Sequence, residues 1–213
     1  MTAYVDIGVA PSRFPSGWLP GGTISAVPQE RTARMQETNR RRRIRLSSLI
    51  EGMPGLTSAL GGSMAEAAAV CLEAQGHGTV VTLAVEGHFE EILALERAPV
   101  DEQMRNSHRH DETATENGAC GVAIAAVCEL TGLTVLRQSS RWTGVDYWLG
   151  PREAKLFQDS LVLEVSGIRK GGDHTIRARV RQKAVQMKKW GLEPPGLVAV
   201  VEFSRPVMRT LKV

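Results

Sequence analysis

The chain has 213 residues, 42% hydrophobic and 23% charged. That length and balance suit one soluble globular domain with an extension, and they exclude a large multidomain machine or a wholly disordered chain. The net charge of +3 permits an anionic partner. No segment reaches the ~18 apolar residues that span a bilayer.

The longest apolar stretch, residues 118–128, is broken by glycines and ends at Glu129. Near the start stand Asp6, Pro11, Pro15 and Pro20 rather than a basic patch and an apolar run, so a cytoplasmic protein without a membrane partner is expected. Cys71, Cys120 and Cys128 are odd in number, lie in apolar helix-like surroundings and lack finger spacing. They read as reduced core residues.

Residues 1–50 mix Gly/Pro punctuation with a run of arginines: Arg40, Arg41, Arg42, Arg43 and Arg45, preceded by Arg31 and Arg34. No period of 2 or 3.6 is sustained there, so an N-terminal arm over 1–62 is expected, followed by an α/β domain over 63–213. The arm is either a phosphate-binding segment or a solubilising one that contacts a second copy or a partner subunit.

Ser63 and Glu66 form an S-x-x-E capping box ahead of alanine-rich sequence, which predicts a helix over 64–75 ended by Gly76 or Gly78. TVVTLAVEG, bounded by Gly78 and Gly87, predicts a strand. Residues 88–112 are polar and mixed, and read as a loop or a short exposed helix. A helix from about Thr113 follows, then a strand (LTVLRQSS), a turn at residues 141–144, a strand (VDYWLG) and a polar loop over 151–159. The strand LVLEVSGI leads to a basic helix over 175–190 and a final strand, LVAVVEFS. Helix, three strands, helix, strand is an αβββαβ order over 113–204, and the helical crossover implies at least one parallel strand pair.

Four polar residues stand where an apolar one is expected. Asp146 opens an aromatic-rich strand and is either a turn aspartate beside Gly144 or a carboxylate with a task. Glu164 interrupts LVLEVSGI; it faces water on an edge strand or is held inside by a partner. These two lie 18 residues apart, enough for adjacent strands to set them side by side. A hard divalent cation, Mg²⁺ or Mn²⁺, would resolve the repulsion of such a pair. Ser166 shares the face of Glu164 and is a candidate partner for a cation-bound water.

Glu116 aligns with Cys120, Ala123, Val127 and Leu130 at helical spacing, which predicts a carboxylate at the head of an inward face. The same glutamate also completes a T-x-x-E capping box with Thr113. Lys183 falls between Ile176, Val180, Met187 and Trp190 on the apolar stripe of the basic helix, where a lysine either snorkels or meets an anion. His108, His110 and Asp111 lack further ligands for a tetrahedral site. No P-loop, dinucleotide fingerprint or G-x-S-x-G is present.

A helix with Glu116, a hairpin with Asp146, a strand with Glu164, a basic helix and a strand, in that order, resemble the PD-(D/E)XK, restriction-endonuclease-like nuclease superfamily over residues 113–204. TGVDYWLG and LEVSGI are also similar to segments of bacterial hypothetical proteins. The superfamily resemblance implies that Glu116, Asp146 and Glu164 bind Mg²⁺ (or Mn²⁺) for phosphodiester hydrolysis in DNA. The sequence departs from the family at Glu164-Val165-Ser166, where serine replaces the usual lysine. Lys183 matches the position of a lysine migrated to the following helix, and Lys170 is an alternative. On this reading Arg40, Arg41, Arg42, Arg43, Lys170, Arg177 and Arg181, with Arg179, Lys188 and Lys189 on the same helix, track the nucleic-acid backbone, or the helix residues are simply a solvated face. The departure at Ser166 keeps a second expectation open: an inactive nuclease-fold subunit that binds nucleic acid or assembles with other proteins.

Overall fold

The apolar runs at Leu161–Ile168 (β6) and Gly196–Glu202 (β7) form the centre of the sheet, buried almost throughout. Near-continuous apolar strands signal burial on both faces, and these two pair in parallel. Their connection is the basic helix Asp173–Lys189 (α4). A computed structural model describes residues 42–140, 144–153, 160–189 and 195–213. These lie in the compact unit Thr38–Val213.

Ahead of these elements come β1 (Arg43–Arg45), a 3₁₀ turn (Leu46–Glu51), α1 (Ser58–Ala74), β2 (Val80–Gly87), β3 (Glu91–Glu96) and α2 (Glu102–Ser107). Then follow α3 (Asp111–Thr131), β4 (Thr134–Gln138) and β5 (Tyr147–Gly150), and after β7 the chain ends in β8 (Val207–Lys212). The described strands form one mixed sheet in the order β1-β3-β2-β8-β7-β6-β5-β4. Strands β4, β5 and β6 are an antiparallel meander, and the α4 crossover makes β6 and β7 parallel, so the expected αβββαβ order is present from α3 to β7. The chain is α/β in class.

Side chains of β6 divide the core. Leu163 and Val165 pack with α1 and α3, whereas Val162 and Ile168 pack beneath Ile176, Val180, Ala184 and Met187 of α4. Alternation along the strand sends Glu164 and Ser166 to the α4 side. Helices α1 and α3 meet closely because glycine stands at the crossing: a Cβ on Gly118 would lie 2.9 Å from the Ala68 backbone.

Several boundaries differ from the sequence reading. Helix α1 starts at Ser58, where the Thr57 hydroxyl accepts a hydrogen bond from the Leu60 amide, so Ser63 and Glu66 do not cap it. Helix α3 starts at Asp111, capped by His110 Nδ1, which accepts from the Thr113 amide; the Thr113–Glu116 box is therefore not the cap. Residues 88–112 contain β3 as well as the short helix α2. Part of the expected arm is also structured, because β1 pairs with β3 and Ile44, Leu46, Leu49 and Leu56 are core residues.

Arg40 and Arg41 lie outside the described residues, as do Trp190, residues 141–143 and most of the loop over 151–159. No helix among the described residues is long and apolar enough to cross a membrane.

Candidate active site

The ladder between β5 and β6 runs from Leu149↔Leu161 to Tyr147↔Leu163 and stops there. Past that point the Val165 amide has no β5 carbonyl opposite it, and Asp146 Oδ2 accepts its hydrogen bond at 2.7 Å. The Asp146 backbone is fixed from both sides, its amide donating to Leu163 O and its carbonyl accepting from the Ser139 amide. Gly144, two residues earlier, holds a left-handed φ of 67°. Asp146 thus follows a glycine bend closely and is also a carboxylate aimed at β6.

Glu164 is 2% exposed, and its carboxyl lies within hydrogen-bonding reach of Asp146. Glu164 Oε1 also accepts from Lys183 Nζ at 2.6 Å and from Gln186 Nε2 at 3.3 Å. Burial pushes Glu164 up to about 7, the Asp146 charge adds to this, and Lys183 opposes it. Asp146 is also raised, chiefly by burial, against the Val165 amide and Lys183. Two carboxyls and one ammonium therefore converge where β5 leaves β6.

The Lys183 reading from the helical stripe matches this geometry: Ile176, Val180 and Met187 are buried, and the lysine among them meets an anion. Ser166 shares the Glu164 face as expected, but its hydroxyl accepts from Arg179 Nη1 at 2.7 Å instead of standing open to a water. Glu116 departs further from expectation. It is exposed rather than inward, because α3 buries its flank at Ala114, Thr115, Gly118 and Ala119. Glu116 lines a cleft of about 250 Å³ together with Thr115, Gly167, Arg169 and Arg179.

The donor chemistry at Asp146 and Glu164 fits a hard divalent cation, since both ligands are carboxylate oxygens whose burial disfavours negative charge. The expected third ligand does not join them: among the described residues no three acidic, histidine or cysteine side chains converge in a metal-holding group. Another buried carboxylate, Glu202, is committed to structure. It accepts from the Gly171, Ser204 and Arg205 amides and ties the turn after β7 to the start of α4.

The proposed backbone-tracking residues are scattered. Arg42, Lys170, Arg177 and Arg181 are exposed, whereas Arg43 is spent on an ion pair with Glu96 at 2.8 Å. At ~100° per residue, Arg177 and Arg181 fall on the flank of α4 roughly opposite to Lys183. They do not line the carboxylate site.

Arg179, one of the expected backbone-tracking arginines, does come beside that site through Ser166, and Gln186, which the sequence places off the stripe centre, reaches Glu164 itself. Their signal is the polar series Arg179, Lys183, Gln186 at i, i+4 and i+7, a stripe beside the apolar one. Comparison of the chain with protein-family models, curated proteins and solved structures finds no match. The functional reading rests on this geometry.

Proposed function

We propose that this chain is a metal-dependent phosphodiesterase of the PD-(D/E)XK, restriction-endonuclease-like kind, acting on DNA. The observation that carries the proposal is the convergence of Asp146, Glu164 and Lys183 from three separate elements. Two oxygen ligands and a neighbouring cation are the parts that phosphodiester hydrolysis needs, and the αβββαβ order from α3 to β7 supports the same reading.

Asp146 and Glu164 are the residues that would hold Mg²⁺ or Mn²⁺, which when bound supplies Lewis-acid polarisation and a water of lowered pKa. Asp146 is held in place by the Val165 amide, so its free oxygen is pre-oriented. Hydrolysis forms a bond from phosphorus to the water oxygen, breaks one ester P–O bond and returns a proton to the leaving oxygen. Lys183 supplies positive charge where negative charge builds on the phosphoryl oxygens, and Gln186 holds the Glu164 carboxyl in register.

A second reading, an inactive nuclease-fold subunit that binds nucleic acid or a partner protein, draws on two observations. Arg179 occupies the Ser166 hydroxyl, and Glu116 stands apart from the carboxylate pair.

One experiment separates the two: wild type, Asp146→Asn and Glu164→Gln are incubated with single- and double-stranded DNA and RNA, with Mg²⁺, Mn²⁺ or a chelator. Metal-dependent cutting of DNA that is lost in both variants is the expected result. Retention of DNA by folded wild type without cutting under any metal would overturn the catalytic reading in favour of the subunit.

A further inference from the structure

We infer that Arg179 grips a backbone phosphate of the nucleic acid beside the Asp146–Glu164 pair, in the cleft it lines with Thr115, Glu116, Gly167 and Arg169. The inference rests on the nuclease reading above and adds the residue that positions the substrate.

Three observations lead to Arg179. Its guanidinium is half-buried, yet its hydrogen bond among the described residues goes to Ser166, a neutral hydroxyl, and it forms no ion pair among them. A guanidinium carries five donors in a planar fork suited to phosphate, and partial desolvation without a counter-charge favours an anion beside it. The second observation is position. Ser166 lies two residues beyond Glu164 on the same strand face, and Arg179 lies one helical turn before Lys183. A phosphate on Arg179 therefore sits next to the carboxylate pair.

The third is the cleft itself, about 250 Å³ and lined on its other side by the first turns of α3. There Arg169 is already paired with Asp111 at 3.0 Å, so its charge is largely spent. Glu112 and Glu116 also line the cleft and repel a bare anion. Among the described residues, Arg179 is therefore the cation of this wall that is left to hold an anion.

The test measures binding of a labelled DNA duplex without divalent cation between ~50 and ~200 mM salt, where each phosphate contact contributes about one unit to the slope of log affinity against log salt. Wild type is expected to bind, Arg179→Gln to bind ~10-fold more weakly with the slope reduced by about 1, and Arg179→Lys to keep the slope. Ser166→Ala, which removes only the hydrogen bond, keeps the slope as well. An unchanged slope and affinity in Arg179→Gln overturns the inference, as does wild type that fails to bind DNA.

Should Arg179→Gln fail to fold, phenylglyoxal labelling of wild type replaces it. DNA is expected to protect Arg179, and equal labelling with and without DNA overturns the inference. Failure of the nuclease reading has a different signature: wild type that binds but never cuts defeats catalysis, while the salt slope still decides Arg179.

Discussion

Lys183 Nζ lies 2.6 Å from Glu164 Oε1, joining the middle of α4 to the middle of β6. The lysine side chain is 21% exposed and the glutamate 3%, so the carboxyl depends on its partner more than the ammonium does. Removing the ammonium leaves a buried carboxyl facing Asp146. Lys183→Met is therefore expected to lower stability by about 1–3 kcal/mol near pH 8. The loss should shrink near pH 5.5, where a Glu164 pushed up to about 7 is protonated and needs no cation. Chemical denaturation at both pH values checks this, and an equal loss at each would contradict it.

The same raised acid makes the metal-free protein pH-sensitive. Glu164 ionises near 4.5 in the unfolded chain and near 7 when folded, because burial and Asp146 favour its neutral form. Between those values the folded state holds the extra proton. Its stabilising contribution is present in full below about 4.5 and declines as pH rises toward 7, and Asp146, also raised, acts with the same sign. Glu164→Gln is expected to flatten this decline. Thermal unfolding from pH 5 to 8 in a chelator should show the variant gaining on wild type as pH rises.

Much of this arrangement was legible in the sequence where one period dominated. LVLEVSGI gave a strand with the observed bounds, and the 3.6-residue stripe through Ile176, Val180 and Met187 isolated Lys183 as a lysine that either snorkels or meets an anion. Less was legible where long-range pairing decides. The three residues of β1 are half of an arginine-rich run, yet become a strand because β3 offers them a parallel edge. Likewise β8 is a short, charged segment that the neighbouring β7 and β2 turn into a strand. Glu116 was misplaced because at its end of α3 the buried flank runs through Ala114, Thr115, Gly118 and Ala119 rather than the Glu116–Cys120 line, and no local pattern distinguishes the capping His110 from an ordinary loop histidine.

The three cysteines are free and should be slow to react in the native state. Burial pushes Cys120 up to about 12 and Cys128 up to about 11, and also raises Cys71 despite the nearby Arg169 charge. Near pH 8 the thiolate fraction at each is small. Iodoacetamide labelling followed by mass spectrometry should show little modification of folded protein and three modified cysteines after denaturation. Rapid native labelling at Cys120 would mean that the α3–β5 contact, where its thiol meets Tyr147, opens readily.

Gly167 controls how closely α3 approaches the site. A Cβ at this position of β6 would stand 2.5 Å from Thr115 O and 2.8 Å from Thr115 Cγ2, inside any real contact distance. Thr115 cannot easily recoil, since its hydroxyl donates to Asp111 O at 2.6 Å and Asp111 is paired with Arg169. Gly167→Ala must therefore push the first turns of α3 away from β6, at a cost of about 1–3 kcal/mol. The shift would also displace the cleft wall that carries Glu116 and Arg169. Gly172→Ala is the control, because a Cβ there meets nothing within 4 Å and the backbone is not left-handed, so it should be neutral or slightly stabilising. Urea denaturation of the two variants makes the comparison, and equal stability would show that α3 does not press on β6 at this point.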